Sequence, residues 1–407
     1  MSQQGPILLV SSGETSSLAL ALSNTKLFPV IETGWSDAAD AVARLQPAAM
    51  LVAGEVGPQF AALAAQVAEL RPYVPLIVVD PAGQLPPNAL PLGLANGSIE
   101  RLGARLRAAL RIRSLHATVL RRLSGEPDAQ AALQAPDPLA EATLLLIGRG
   151  RTYSALSVAL GERTGVIGAL SIEAAAKHLN TRDIDGIVLA EGFSPRVVDA
   201  FLTVLAEDSR FRNLPVVVPG DGAMPACDLP NLELVAGSPS RVTSTVLPLI
   251  RQHAFEARLC RTLKSIDADG LLDPRTGLLM WDAFHRELAA VVAQTQLNGG
   301  GLSLARFYLG EGHNRAPRDA ARIISRLKRR MDFGAVQEDG SIVVALPETD
   351  LRNAHLVARR LGSVMKHTVH VKRDLRLDPE IVITTLLASD SMQSMLARLT
   401  EPRRAAS

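Results

Sequence analysis

Only two cysteines, Cys227 and Cys260, occur in the 407 residues; they stand far apart, with no Cys-x-x-Cys pair and no histidine at ligand spacing. That excludes a disulfide framework and a structural zinc site, and it fits a reducing cytoplasm. Neither sign of charge dominates: 43 Lys and Arg stand against 41 Asp and Glu, a formal net charge of +2. A nucleic-acid binder held by a broad basic field is therefore excluded, and any site for a polyanion must be local. No run of about 18 apolar residues occurs, and the start Met1-Ser-Gln-Gln-Gly-Pro6 lacks a basic stretch followed by an apolar one. Membrane insertion and a secretory leader are not expected, so the address is read as cytoplasmic. Aromatics, at 3%, are too few to carry fold information.

What is present suffices for folding. Hydrophobic residues make up 47% and charged residues 21%, ordinary for a globular chain and too apolar for a disordered one. At roughly 100–200 residues per domain the length allows two to four domains.

Apolar runs at 6–10, 30–31, 50–53 and 75–79 alternate with helical periodicity at 16–27, 37–45 and 59–71. Strand alternating with helix predicts a parallel sheet covered on both faces. A basic helical stretch, 98–123, leads into the Pro-, Ala- and Gln-rich segment 124–141, read as a linker. The same order then repeats, with strands at 143–147, 166–167, 186–189, 214–218 and 232–235. Helical periodicity from Thr245 to Ile266 places Phe255, Leu259, Leu263 and Ile266 in one stripe, able either to pair two chains or to pack on a neighbouring domain. The remainder predicts helices at 280–296, 318–330 and 350–365 among strands at 302–309, 334–336, 342–346, 368–373 and 380–387, a mixed α/β unit.

The first two units resemble receiver domains of two-component response regulators, by element order and by details such as Asn213-Leu-Pro215 before the fourth strand. The resemblance implies doubly wound (βα)5 domains at 5–123 and 142–244. It also implies an acidic pair after the first strand for magnesium, a phosphoacceptor aspartate ending the third and a lysine ending the fifth. In the first unit those places hold Ser11 and Ser12, Ala53 or Gly54, and a stretch near Asn96 without lysine. In the second they hold Gly148 and Arg149, Ala190 or Glu191, and Ser238 before Pro239. Phosphotransfer is expected to fail in both, leaving Glu191 either as a fixed charge mimicking the phosphorylated state or as an ordinary loop residue.

The third unit, 270–400, joined by a connecting helix over 245–269 and followed by a tail at 401–407, resembles the GGDEF domain of diguanylate cyclases. Asp273-Pro-Arg-Thr-Gly-Leu278 stands close to the family's opening Asp-x-Leu-Thr-Gly-Leu. Counted back from Leu346-Pro347-Glu-Thr-Asp350, the signature positions hold Glu338, Asp339, Gly340, Ser341 and Ile342. Gly340 occupies the place of a metal-binding acid, and Arg306 and Phe307 stand where the second metal aspartate would end its strand. Two magnesium ions on a triphosphate need oxygen ligands, so the unit is read as catalytically dead, with no cofactor.

Arg329-Arg-Met-Asp332 keeps the spacing of the family's RxxD inhibitory site, which implies binding of cyclic di-GMP. An arginine fork can donate two hydrogen bonds to the guanine O6/N7 edge, and an aspartate can accept from guanine N–H groups. The same pattern at Arg182–Asp185 and Arg196–Asp199 is expected to be chance. A further arginine from the following helix is matched by Arg360, with Arg359 beside it. On the helix before the motif, Ala320, Ile323, Ile324, Leu327 and Met331 form the predicted buried stripe and Arg322, Arg326 and Arg329 another face. Gly148-Arg-Gly150 and Ser11–Ser16 fall short of nucleotide-binding loops, and His367 and His370 are expected on the surface.

Two receivers before a GGDEF domain is the layout of the PleD and PopA type of response regulator. The resemblance implies a homodimeric, non-catalytic cyclic di-GMP effector that controls protein partners, such as adaptor or polar-localisation proteins in cell-cycle proteolysis, and that is recruited to a cell pole. A nucleotide-independent interaction scaffold and a surviving cyclase stay open as alternatives.

Overall fold

Ile7–Ser11 (β1) is buried along its entire length, as a strand between two neighbours in a sheet covered on both faces must be. The computed structural model describes residues 5–400 apart from 12–16, 26–27, 55–57, 82, 95–98, 125–129, 131–132, 134–136, 221–226, 228, 311–314 and 367–378. After β1 come α1 (Ser17–Thr25), β2 (Val30–Thr33), α2 (Ala38–Leu45), β3 (Ala49–Ala53), α3 (Phe60–Ala68), β4 (Leu76–Val79), β5 (Ala89–Leu92) and α4 (Ile99–Arg122). The strands form a parallel sheet in the order β2-β1-β3-β4-β5. Alternation along β1 divides the core: Ile7 and Leu9 pack with Ala19, Leu22, Leu102 and Leu106, whereas Leu8 and Val10 pack with Val42, Phe60 and Leu63. Each such side chain contributes about 1.5–3 kcal/mol by burial.

The order repeats in α5 (Pro138–Glu141), β6 (Thr143–Ile147), α6 (Tyr153–Gly161), β7 (Gly165–Ala169), α7 (Ile172–Thr181), β8 (Gly186–Leu189), α8 (Pro195–Glu207), β9 (Val216–Pro219), β10 (Leu232–Val235) and α9 (Pro239–Asp267). These strands form a second parallel sheet, β10-β9-β8-β6-β7. Two expectations need correction. Among the described residues neither fourth crossover, β4 to β5 or β9 to β10, contains the helix that a (βα)5 unit calls for, residues 221–226 and 228 of the second lying outside the described residues. The strand Ala89–Leu92 escapes the sequence reading because it contains Pro91; it lies at the sheet edge, where a missing N–H is tolerated.

Helix α9 starts at Pro239, earlier than its periodicity suggests, and passes through Pro248. Val242, Val246, Ile250 and Ala254 pack on the second sheet and Leu249 joins the core of the first, with Leu259 also fully enclosed. The Phe255–Ile266 stripe is therefore not one continuous exposed face.

The remaining elements are α10 (Trp281–Asn298), β11 (Leu302–Tyr308), α11 (Ala316–Leu327), β12 (Phe333–Val336), β13 (Ile342–Pro347), α12 (Leu351–Lys366), β14 (Glu380–Thr385) and α13 (Met392–Thr400). They build an antiparallel sheet, β12-β13-β11-β14. Phe307, Val344 and Leu346 face Ile324, Ala358 and Leu361 on one side; Leu304, Val343 and Ala345 face Phe284, Leu288 and Met395 on the other. The terminal helix α13 has no counterpart in the sequence reading, and the predicted strand at 368–373, with His367 and His370, lies outside the described residues. The chain divides into two compact units: Met1–Ala176 with Ile184–Leu259, and Lys177–Asp183 with Cys260–Ser407.

Candidate functional site

The strand ends of the first two sheets were the places to look for phosphotransfer. Ser11 ends β1 in register with Ala53 of β3, and its hydroxyl donates to Glu32 Oε1 at 2.8 Å. Gly54 follows in a bend, while Ser12 and Asn96 lie outside the described residues. In the second sheet the gap between strand ends is closed by backbone: Arg149 N and Gly150 N donate to Glu191 O at 3.0 and 3.3 Å. Gly148 has φ +150°, and a Cβ there would stand 2.9 Å from both Ala190 Cβ and Glu191 O. Such a gap leaves no room for a metal and a phosphoryl group. Among the described residues, no cluster of three or more His, Cys, Asp or Glu side chains could hold a metal ion.

In the third sheet Glu338–Ser341 form the turn from β12 to β13, and Ile342 opens β13. Gly340 takes φ +79°, a conformation that glycine adopts without strain, and the turn closes through Gln337 N to Ser341 O at 2.8 Å. Arg306 reaches across from β11: Nη2 donates to Asp339 Oδ2 at 2.6 Å and Nε to Ser341 Oγ at 3.1 Å, with the guanidinium carbon 5.7 Å from the Tyr308 ring centre. Burial tends to raise the Asp339 carboxyl, but hydrogen bonds from Ser341 and the Arg306 charge outweigh it and hold it below its ordinary range. A guanidinium thus neutralises Asp339, one of the two acids of this turn beside Glu338, where a magnesium site would need several free anionic oxygens. These residues do not fit two magnesium ions.

The RxxD segment forms a tight turn between α11 and β12. Asp332 Oδ2 accepts from Arg329 N at 2.9 Å, and Asp332 N donates to Arg329 O at 3.1 Å. The aspartate is 2% exposed and its Oδ1 has no hydrogen-bond partner, an uncompensated acceptor that costs about 1–3 kcal/mol or more. Arg329, Arg359 and Arg360 are exposed and have no carboxylate partner among the described residues. Arg360 lies over the turn, with Nη2 3.5 Å from Leu327 O. Arg329 and Asp332 thus share one turn, and Arg360 approaches the end of the helix that precedes it.

Two features of the preceding helix differ from expectation. Met331 is 53% exposed, because the helix ends at Leu327 and the turn carries Met331 off its buried face. Arg322 is buried, its Nε donating to Arg275 O at 2.8 Å. Arg326 is held by Asp183 Oδ1 at 3.1 Å and by the carbonyls of Leu179 and Arg182, all within the second unit. Only Arg329 of the three stays uncommitted. Behind the turn a cavity of about 680 Å³ is lined by Lys328, Arg330, Asp332 and Gly299–Gly301; neither Arg329 nor Arg360 lines it. Proximity of this cavity to the turn had no sequence signal, since its opposite wall comes from α10 and the loop after it, distant in sequence.

No family model matches the chain, and no curated protein does. Among solved structures it is similar to the coiled coil and GGDEF domain of DgcB from Caulobacter crescentus in complex with c-di-GMP, at TM-score 0.30 and 18% identity over 35% of this chain and 83% of that one. Diguanylate cyclase SiaD from Pseudomonas aeruginosa, in complex with its activator SiaC, gives TM-score 0.30 and 18% identity over 35% and 61%. PelD from Pseudomonas aeruginosa, in complex with c-di-GMP, gives TM-score 0.25 and 20% identity over 39% and 53%.

Proposed function

We propose that the chain is a non-catalytic receptor for cyclic di-GMP, built from receiver-like halves at 5–123 and 142–244 and a degenerate GGDEF-like domain at 270–400. The ligand docks at Arg329, Asp332 and Arg360, with Arg359 beside them, and the loaded protein controls protein partners. The observation that supports this reading most is the orphaned carboxylate oxygen of Asp332 at a turn that also carries the exposed Arg329, with Arg360 reaching the carbonyl of Leu327 just before it. Guanine N1–H and N2–H are donors suited to a carboxylate, and guanine O6 and N7, or the phosphate oxygens, accept from arginine forks. Oδ1 is enclosed, so binding requires the Lys328–Met331 turn to open before ligand donors reach it. The paired Arg306 and Asp339 leave no metal-centred route to GTP condensation, which supports a receptor over a cyclase.

Calorimetric titration of cyclic di-GMP into the full chain tests the reading. Binding near micromolar in the wild type, weakened about 10- to 100-fold in Arg329→Ala, is the expected result, since a charge-assisted hydrogen bond contributes about 1.5–3 kcal/mol. Equal affinity in Arg329→Ala overturns the site, and absence of binding in both leaves a protein-interaction scaffold.

A further inference from the structure

The first unit contains a second cavity, of about 210 Å³, that neither the RxxD turn nor the strand-end crevices use. Its walls come from the end of α3, the segments around Tyr73 and Leu90, helix α4 and helix α9. Tyr73, His116 and Phe255 form an aromatic corner: Phe255 meets Tyr73 edge-on at 5.7 Å and His116 at 5.2 Å. Leu90, Leu133 and Pro248 supply apolar wall, and Arg71, Asn88, Arg251 and Gln252 the polar remainder of the lining. A cavity of about 150 Å³ is enough for benzene, so this one takes a single ring with a small substituent.

Polar groups within it are directional. His116, 4% exposed, accepts from Tyr73 N at Nδ1 over 2.9 Å. The neutral ring therefore carries its proton on Nε2, which meets no acceptor among the described residues. Gln252 Nε2 donates to the Tyr73 hydroxyl at 3.0 Å, leaving the phenolic hydrogen available to an acceptor. Two unused donors thus accompany an aromatic corner.

The local charge is positive. Arg71 lines the cavity and Arg113 stands close by; they donate only to backbone carbonyls, those of Ala68 and Leu70 and of Pro72 and Tyr73, and neither has a carboxylate partner among the described residues. Arg251, also in the lining, is already paired with Asp137 at 2.9 Å. Burial, reinforced by the charges of Arg71 and Arg113, keeps the His116 imidazole neutral by pushing it down to about 4. An aromatic slot with free donors and unneutralised cations matches a molecule with one ring and one anionic acceptor.

We infer that this cavity is a binding site for a small aromatic carboxylate, with the ring against Tyr73 and Phe255 and the carboxylate toward His116 Nε2–H and Arg71. The site is independent of cyclic di-GMP. Because Gln252 and Phe255 lie on α9, the helix that continues past Leu259 into the second unit, an occupant with different affinity for two positions of that helix would shift their populations. A strand-end crevice without phosphotransfer chemistry would then have a small-molecule input in its place.

Benzoate is the probe, titrated into the full chain by saturation-transfer NMR and calorimetry, with benzyl alcohol and benzylamine as controls. The expected result is benzoate binding at about 1 mM or tighter, roughly tenfold weaker binding of benzyl alcohol, and none of benzylamine. Ala68→Trp, at an exposed position on the rim, should abolish benzoate binding, and His116→Phe should weaken it about tenfold while keeping the ring contact. No benzoate binding at about 10 mM, unchanged binding in Ala68→Trp, or benzyl alcohol bound as tightly as benzoate overturns the assignment.

Discussion

Removing the Glu233 carboxylate should destabilise the first unit more than removing any exposed charge. Glu233 sits on the edge strand β10, 3% exposed, and Arg105 of α4 is wholly buried against it, with Nη2 to Oε1 at 2.6 Å. Arg101 adds a contact to the same oxygen at 3.4 Å and donates to the carbonyls of Gly93 and Leu232; Gly93 N donates to Oε2 at 2.9 Å. Burial pulls the Arg105 guanidinium below its usual range, and the Glu233 charge opposes that pull. In Glu233→Ala the guanidinium keeps Pro230 O and Pro91 O but loses its counter-charge. Breaking one side of a buried pair costs about 3–5 kcal/mol. At about 2–4 °C per kcal/mol for a unit of this size, the melting transition should fall by on the order of 10 °C. Thermal unfolding followed by circular dichroism measures the shift and urea unfolding the free energy, with Glu233→Gln expected to lose less because it keeps an acceptor. The double variant Arg105→Met with Glu233→Leu should recover most of the loss, since both buried charges then leave together. A Glu233→Ala protein within about 0.5 kcal/mol of wild type would refute the premise that the pair is dry and mutually dependent.

Acid should act through His116. Its folded value of about 4 lies below the ordinary 6.5, chiefly through burial, then through the charges of Arg71 and Arg113. The neutral ring's contribution is therefore complete above pH 6.5 and is lost as the pH falls toward 4, on the order of 2–3 kcal/mol; urea midpoints for wild type and His116→Phe across that window should converge as the pH falls. Gly148→Ala, forced to place a Cβ against Ala190 and Glu191 O at φ +150°, should cost about 1–3 kcal/mol by the same assay. Chelation with EDTA should leave cyclic di-GMP affinity unchanged by calorimetry, because the proposed ligands are guanidinium groups and a carboxylate; loss of affinity would point to a metal bridge.

Much of the architecture was legible because parallel strands buried on both faces read as unbroken apolar runs, as in Leu144–Ile147 and Ile187–Leu189. Elements that depend on tertiary position were not. Pro91 argues against a strand until its place at the sheet edge is known, and Arg105 reads as a solvated helix residue until Glu233 arrives from 128 positions away. Met331 obeys helical spacing from Ile324 and Leu327, yet the helix stops first. At the candidate site, the family resemblance pointed to Arg329, Asp332 and Arg360, and spacing alone puts only Arg329 and Asp332 at one turn; the burial of Arg322 and the commitment of Arg326 to Asp183 come from packing that periodicity does not encode.

Arg306 shows how a chain can supply its own counter-charge at a strand-to-turn junction. Its backbone pairs with Val343 on one side and Val382 on the other, so the position is fixed in the centre of the third sheet. A carboxylate there, beside Asp339 and without a metal, would set two like charges together at a strand end. The guanidinium instead neutralises Asp339, bonds Ser341 and lies near Tyr308, supplying from within the chain the positive charge that a cation would otherwise bring. With one exposed partner the pair contributes about 0–1 kcal/mol, so its larger effect is chemical: it occupies the turn with a group that cannot polarise a phosphate as a Lewis acid. Arg329 and Arg360, in contrast, are exposed and have no carboxylate partner among the described residues, so their charge, unlike that of Arg306, is not met by a described acid.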